Sequence, residues 1–156
     1  MYTTTRKLSI LFVILSLFLS TITYAQQRTM ATRVIDGDTI QALYGGVEKR
    51  IRLIGIDTPE SRVNRKEKKD KYANMSEHDI KTIIEMGKKA KAYVNGLIKR
   101  GDSITIELGV QEMDKYGRLL GYVYLSNGKM LNEEIVKAGY AVIMTIPPNV
   151  KYKDRF

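Results

Sequence analysis

Between Met30 and Ile54 the chain doubles back twice, and this meander limits the possible folds more than any other stretch. Met30, Thr32 and Val34 alternate, Asp36-Gly37-Asp38 makes a sharp turn, and Ile40 and Ala42 resume the alternation. Gly45-Gly46 then marks a hairpin into Val47 to Ile54. A period of two broken by glycine-containing turns belongs to short paired strands with one buried face.

The rest of the chain extends that plan. "RVNRKEKKDKYANM" reads as an exposed loop rich in cations, its segment Arg62 to Lys71 strongly basic. Ser76 with Asp79 gives a capping-box-like start to a helix, and Ile80, Ile83, Ile84, Gly87, Ala90, Val94, Leu97 and Ile98 keep a 3.6-residue stripe. Lys99 and Arg100 suit its C-terminus and Gly101 its stop. Ser103 to Leu108 and Leu119 to Leu125 read as the fourth and fifth strands, with a tight turn at Asn127-Gly128. Leu131 to Ala138 is a short helix with Asn132 and two glutamates near its start and Gly139 at its end. An apolar piece, Ala141 to Ile146, precedes Pro147-Pro148, and no internal repeat is visible. Three strands, a helix, two strands and a helix describe an α+β domain on a small antiparallel sheet or barrel, and an OB-like five-stranded barrel fits.

The chain of 156 residues begins like an exported protein. Arg6 and Lys7 form a short positive region, Leu8 to Ser20 is apolar, and Thr23 and Ala25 are the small residues of a cleavage site. The alternative, a membrane anchor, needs about 18–20 apolar residues, and the run falls short. A signal peptide at 1–25 and one domain at 26–156 are therefore expected, with the product extracellular or periplasmic. No cysteine is present, which fits a domain able to fold without disulfides and excludes thiolate chemistry and Cys-based zinc. A net charge of +9 draws the chain to polyanions. His78, the one histidine, sits in the first turn of the long helix, so paired-histidine nuclease sites and H-E-x-x-H peptidases are excluded. "GDSI" at Gly101 to Ile104 suggests a serine-esterase block, but with no histidine downstream Ser103 is a strand residue.

Four elements remain that can carry chemistry: Asp36 and Asp38 in "VIDGDTI", Arg52 in "RIRLIGI", Asp57 and Glu60 in "IDTPES", and Arg118 in "DKYGR". Each alone is an ordinary turn or surface feature. Together, Asp38 and Asp57 offer hard oxygens from the ends of two strands, which suits Ca²⁺ or Mg²⁺. Pro59 biases Thr58 toward an extended backbone that turns its carbonyl outward as a third ligand. Glu60 then stands where a base acts on water. Two arginines clamp a phosphodiester and neutralise its transition state.

In this order, "VIDGDTI", "IRLIGIDTPES" and "DKYGRLLGYVY" resemble the thermonuclease (staphylococcal nuclease) family, from about Thr29 to Gly139 and on through "NGKMLNEEIVKAGYA". The resemblance implies an OB-fold five-stranded antiparallel β-barrel with flanking helices. It implies a secreted, Ca²⁺-dependent nuclease that cuts DNA and RNA, preferably single-stranded or unstacked, and leaves 3′-phosphate ends. A monomer without a protein partner is expected. Residue by residue it makes Asp38, Asp57 and the Thr58 carbonyl metal ligands and Asp36 their neighbour. Glu60 becomes the general base, Arg52 and Arg118 bind the scissile phosphate, and Lys115 and Tyr116 contact a flanking phosphate. The basic stretch Arg62 to Asn74 is longer than in shorter members, Thr145 and Pro147 stand where some members place stacking aromatics, and the chain stops at "YKDRF", where the family continues into a third helix. A catalytically silent nucleic-acid-binding barrel, or an unstable fragment, is the alternative. Silent copies are expected to lose an acid or an arginine of this set, and here the set is complete.

Overall fold

Strand β1 (Gln26–Asp36) is shared between two neighbours, and this is how the sheet closes. Its first half pairs with β5 (Ser103–Met113), Gln26 opposite Glu107 and Met30 opposite Ser103. Its second half pairs with β2 (Thr39–Tyr44), Ala31 opposite Ala42 and Asp36 opposite Thr39. Register slips between Ala31 and Arg33 and between Val34 and Asp36 supply the bend this change of partner requires. β2 turns through Gly45 and Gly46, both at positive φ, into β3 (Val47–Leu53). With β6 (Leu119–Tyr124) the strands close in the order β1-β2-β3-β6-β5. The computed structural model describes residues 26–156, so the expected signal peptide lies outside the described residues.

The five-stranded barrel is as the sequence suggested, with one difference of direction. β3 and β6 run parallel, Ile51 beside Leu119 and Leu53 beside Gly121, while the other four pairings are antiparallel. An odd number of strands cannot alternate all the way round a closed ring, so one parallel pair is unavoidable. Ile40, Ala42, Ile51, Ile106 and Val123 fill the interior and are fully buried. β5 runs five residues past the expected Leu108 to Met113, beyond the point where its pairing with β6 becomes irregular.

The basic stretch is not wholly a loop. Arg65–Asp70 forms a short helix, α1, whose Lys68 reaches Glu77 at the start of the next helix, and Tyr72 beyond it is buried. The long helix α2 (Glu77–Leu97) begins as its sequence predicts: the Ser76 hydroxyl accepts from the Asp79 amide at 3.1 Å and donates to the Asp79 carboxylate at 2.7 Å. It buries Ile80, Gly87, Ala90 and Val94. The short helix α3 (Leu131–Lys137) buries Leu131 and Ile135 against the same core. Asn132 does not cap that helix. It is buried, its amide nitrogen donating to the Ile54 carbonyl at 2.8 Å and its oxygen accepting from the Val123 amide at 3.1 Å, which ties α3 to two strands. β4 (Gly55–Asp57) and β7 (Val142–Met144) form a separate ribbon, β7 exposed and Ile56 of β4 buried in the core.

Two side chains of the last residues, Tyr152 and Phe156, lie on the barrel. Phe156 sits on Gly55, where a Cβ would come within 2.4 Å of its ring, so Gly55 is both the turn at φ +82° and the seat of an aromatic ring. Tyr152 helps enclose a single buried carboxylate. Glu107 is 1% exposed and accepts from Lys151 at 2.8 Å, Tyr152 at 3.1 Å, Gln26 at 3.1 Å and Tyr124 at 3.3 Å. Burial alone would push the Glu107 carboxyl up, but the bonds from Lys151, Gln26 and Tyr152 outweigh it and hold the group below the ordinary carboxylate range.

Candidate active site

The turn at Asp36-Gly37-Asp38 and the stretch after β4 face each other because helix α2 leaves room for both. A Cβ on Gly37 would lie 2.8 Å from the Ala90 methyl and 2.8 Å from the Thr58 hydroxyl. A Cβ on Gly87 would lie 2.4 Å from the carbonyl carbon and oxygen of Glu60. Backbone atoms cannot swing aside as a long side chain can, so a larger residue at 87 would move Glu60 itself. Small residues on the buried face of α2 thus set where two acidic segments approach. No periodicity argument reveals this, since Gly87 and Ala90 read only as weak members of an apolar stripe.

Asp38 is the hub. Its Oδ2 accepts from the Thr58 amide at 3.0 Å and hydroxyl at 2.9 Å, and its Oδ1 from the Thr39 hydroxyl at 2.9 Å. Arg52, side chain 12% exposed, bridges the two acids: Nη1 lies 2.7 Å from Asp38 Oδ2, and Nη2 donates to Asp57 Oδ1 at 2.6 Å. The Nη1 contact is close but poorly aligned. That nitrogen is one of two buried side-chain polar atoms among the described residues with no hydrogen-bond partner. Asp36 stands behind, accepting from the Gly37 amide at 2.9 Å and the Ser61 amide at 3.4 Å, and so fixes the loop instead of projecting from it.

Arg118 is positioned by its own turn. Asp114 accepts from the Arg118 amide at 3.0 Å, the Tyr116 amide at 2.9 Å and the Arg118 Nε at 2.7 Å. Burial works against the Asp114 charge, but these bonds win and keep its carboxyl below the usual range. Because Nε is spent on Asp114, the guanidinium's outer edge is left to face the cleft. Tyr116 is 72% exposed, with Lys115 and Arg118 5.1 and 5.5 Å from its ring centre.

Asp36, Asp38, Arg52, Asp57, Glu60, Tyr116 and Arg118 line one cleft of about 800 Å³. Thr58 is buried beneath it, held through its amide and hydroxyl. Lys115 lines a neighbouring groove of about 370 Å³ that shares Arg52, Tyr116 and Arg118. The cleft also contains residues that the motifs did not single out: Arg50, Lys66 and Lys71. Lys71 lies 3.7 Å from Glu60. Burial lowers the Lys71 pKa, but a bond with Tyr72 and the charges of Glu60 and Asp57 outweigh it, and the ammonium is held above the ordinary lysine value. The only trace of this in the sequence was the basic excess of Arg62 to Lys71.

The donors fit a hard cation. Asp38 and Asp57 present oxygen only and share one guanidinium, and no His or Cys approaches them. Among the described residues no three His, Cys, Asp or Glu side chains cluster closely enough to hold a metal by themselves. A cation here therefore needs main-chain and water oxygens besides the two carboxylates, as Ca²⁺ and Mg²⁺ commonly accept.

A profile of the staphylococcal nuclease homologues matches residues 50–156 of the chain. Endonuclease YhcR of Bacillus subtilis is 37% identical over 118 residues, which cover 74% of this chain and 9% of that protein. The thermonuclease of Staphylococcus hyicus is 34% identical over 133 residues, covering 83% of this chain and 67% of that one. The thermonuclease of Staphylococcus intermedius is 35% identical over 126 residues, covering 80% and 64%. The chain thus spans from 9% to 67% of the length of these relatives.

Proposed function

The chain belongs to the staphylococcal nuclease family, and from that premise we propose that it is a Ca²⁺-dependent nuclease that hydrolyses phosphodiester bonds in DNA and RNA and leaves 3′-phosphate ends. One observation carries the reading: Asp38, Arg52, Asp57, Glu60 and Arg118, drawn from four separate segments, line a single cleft. A binding barrel has no need of a base and two arginines beside paired carboxylates.

In this reading Asp38, Asp57 and the Thr58 carbonyl hold the ion, which supplies positive charge next to the phosphate and lowers the pKa of a water. Glu60 takes a proton from the attacking water. The water oxygen bonds to phosphorus, the bond from phosphorus to the 5′-oxygen breaks, that oxygen takes a proton from solvent to leave as a hydroxyl, and the phosphate stays on the 3′ side. Arg52 and Arg118 bind the phosphate oxygens as charge builds on them, and Arg118 stands nearer the leaving oxygen. Arg52 now spans Asp38 and Asp57, and its guanidinium nitrogens would turn to the phosphate where those carboxylates held an ion. The exposed Tyr116 ring at the rim supports a single-stranded or unstacked substrate, since stacking needs a base free of its duplex. We further propose export, with cleavage near Ala25 releasing 26–156 as a monomeric nuclease domain.

The test is incubation of the purified protein with denatured DNA in Ca²⁺ and in excess chelator, with far-ultraviolet circular dichroism alongside. Cutting is expected only in Ca²⁺, and the products are expected to resist polymerase extension until a phosphatase has removed the 3′-phosphate. A folded protein that does not cut in Ca²⁺, or products that extend directly, would overturn the corresponding part.

A further inference from the structure

A second groove lies outside the catalytic cleft, between β1 and the C-terminal half of α2. It measures about 410 Å³ and is lined by Thr32, Arg33, Lys91, Asn95, Lys99 and Arg100 among others. Four cations from two elements converge there, and none of the carboxylate ion pairs among the described residues involves them. No acid among the described residues lines the groove, and Asp102 beyond it accepts from the Lys99 amide at 2.7 Å.

Helix chemistry accounts for part of this. The Lys99 ammonium donates to the Asn95 carbonyl at 2.6 Å and so satisfies the end of α2. It does not account for Arg33, which comes from a strand, or for Thr32. The Thr32 hydroxyl is the second of the two buried side-chain polar atoms without a hydrogen-bond partner, the first being Arg52 Nη1 in the cleft. A buried hydroxyl with no partner is destabilising. Here it lines a groove whose cations have no carboxylate partner among the described residues, which is the complement of an oxyanion.

Position gives the ligand. Val34 lines this groove and its chain neighbour Ile35 the catalytic cleft, so β1 contributes residues to both. Arg33 is three residues from Asp36, about 10 Å along a strand, which is roughly three nucleotides of a stacked strand. We propose that the groove is a second phosphate site that binds the sugar–phosphate backbone of a single-stranded nucleic acid whose scissile bond lies in the cleft. It would select for length and hold a strand between cuts. The inference deepens the nuclease reading and rests on it for the identity of the strand.

The experiment measures binding, in chelator so that nothing is cut, of a 5′-phosphorylated dinucleotide and of a fluorescent 20-nucleotide oligodeoxythymidine. Wild type is compared with Arg33→Glu/Lys91→Glu/Arg100→Glu and with a charge-matched control, Lys49→Glu/Lys81→Glu/Lys153→Glu. The groove variant is expected to lose at least about tenfold in affinity for the 20-mer, to keep its dinucleotide affinity within about twofold, and to show a salt slope shallower by about two. An equal loss in the control, or no loss in the groove variant, would overturn the proposal. So would loss of binding to phosphatidylglycerol vesicles with 20-mer affinity intact, because the groove would then serve a membrane. Thr32→Val guards against misfolding: it removes the unpartnered hydroxyl at constant shape and is expected to hold or raise the melting temperature while weakening 20-mer binding about threefold. Unchanged 20-mer binding in a folded Thr32→Val protein would also count against the site. Absence of Ca²⁺-dependent cutting in wild type would sink the nuclease reading and leave this binding comparison standing.

Discussion

The cleft and the pocket around Glu107 hold carboxylates in opposite ways. Glu107 is a single acid, sealed from solvent, with every bond supplied by fixed neighbours: a lysine, a glutamine and two tyrosines. In the cleft five acids, Asp36, Asp38, Asp57, Glu60 and Asp70, line one opening, with the Asp57 side chain 40% and the Glu60 side chain 41% exposed. Their compensating cations are shared or reachable: Arg52 bridges two acids, and the Lys71 ammonium is 57% exposed. A carboxylate meant to hold a fold together is given its partners and closed off. Carboxylates meant to exchange partners are left crowded and accessible, so that an incoming cation or phosphate lowers the energy of the whole set.

The sharpest way to break this contrast is to remove one member from each side. Glu60→Ala and Arg118→Ala are each expected to lower turnover about 10²–10⁴-fold, with melting temperature nearly unchanged. Glu107→Ala is expected to do the reverse, costing about 1–3 kcal/mol of stability because the Lys151 ammonium and two tyrosine hydroxyls lose their acceptor. Turnover measured well below its melting point should stay close to wild type. If Glu107→Ala abolished cutting in a folded protein, or Arg118→Ala unfolded the chain, the division of labour would be wrong.

Acid sharpens the same comparison. The Glu107 carboxyl is held below its unfolded value, so its stabilising contribution is fully present above the ordinary carboxylate range and disappears as pH falls through the folded pKa. The wild type should therefore lose stability as pH falls below about 4, and Glu107→Gln should flatten that limb of a denaturation curve. An unchanged acid limb would show that the pocket is not linked to folding.

The smallest expected effect compares two glycines on one helix. Gly96 has no neighbouring atom within 4 Å of an added Cβ, and Gly96→Ala should stabilise α2 by about 0.5–1 kcal/mol. Gly87→Ala meets the Glu60 backbone, and overpacking there should cost about 1–3 kcal/mol. It should also reduce kcat about tenfold with KM little changed, because the base moves while the arginines do not. Equal kcat in the two variants would remove α2 from the positioning of Glu60.

Local signals in the sequence were enough for the meander, the Ser76 cap, the barrel and the polar set. Alternation, capping and turn chemistry act over a few residues, and "IDTPES" and "DKYGR" each carry their chemistry within one turn. What stayed hidden depends on partners far apart in the chain. Glu107 reads as one more polar position of a strand until Lys151 and Tyr152 fold over it. Asn132 looks like a helix-start residue until Ile54 and Val123 prove to be its partners. Tyr72 sits in a lysine-rich run that conceals its burial. The parallel β3–β6 pair was derivable, since five closed strands require it, but only once closure was granted.

That parallel pair decides when the protein becomes competent. Asp38 meets Arg52 across the β2–β3 hairpin and Arg52 binds Asp57 five residues on, so these contacts span short stretches of chain, although β4 itself pairs with the distant β7. Such contacts close early because little chain entropy is lost. Arg118 joins Arg52 at the cleft only when β6 docks beside β3, a pairing that closes across α1, α2 and β5 in the chain. A chain caught before that step would carry the acids and the base but lack the second phosphate clamp. Calcium affinity should therefore recover ahead of cutting during refolding, and the delay between them would time the closing of the barrel.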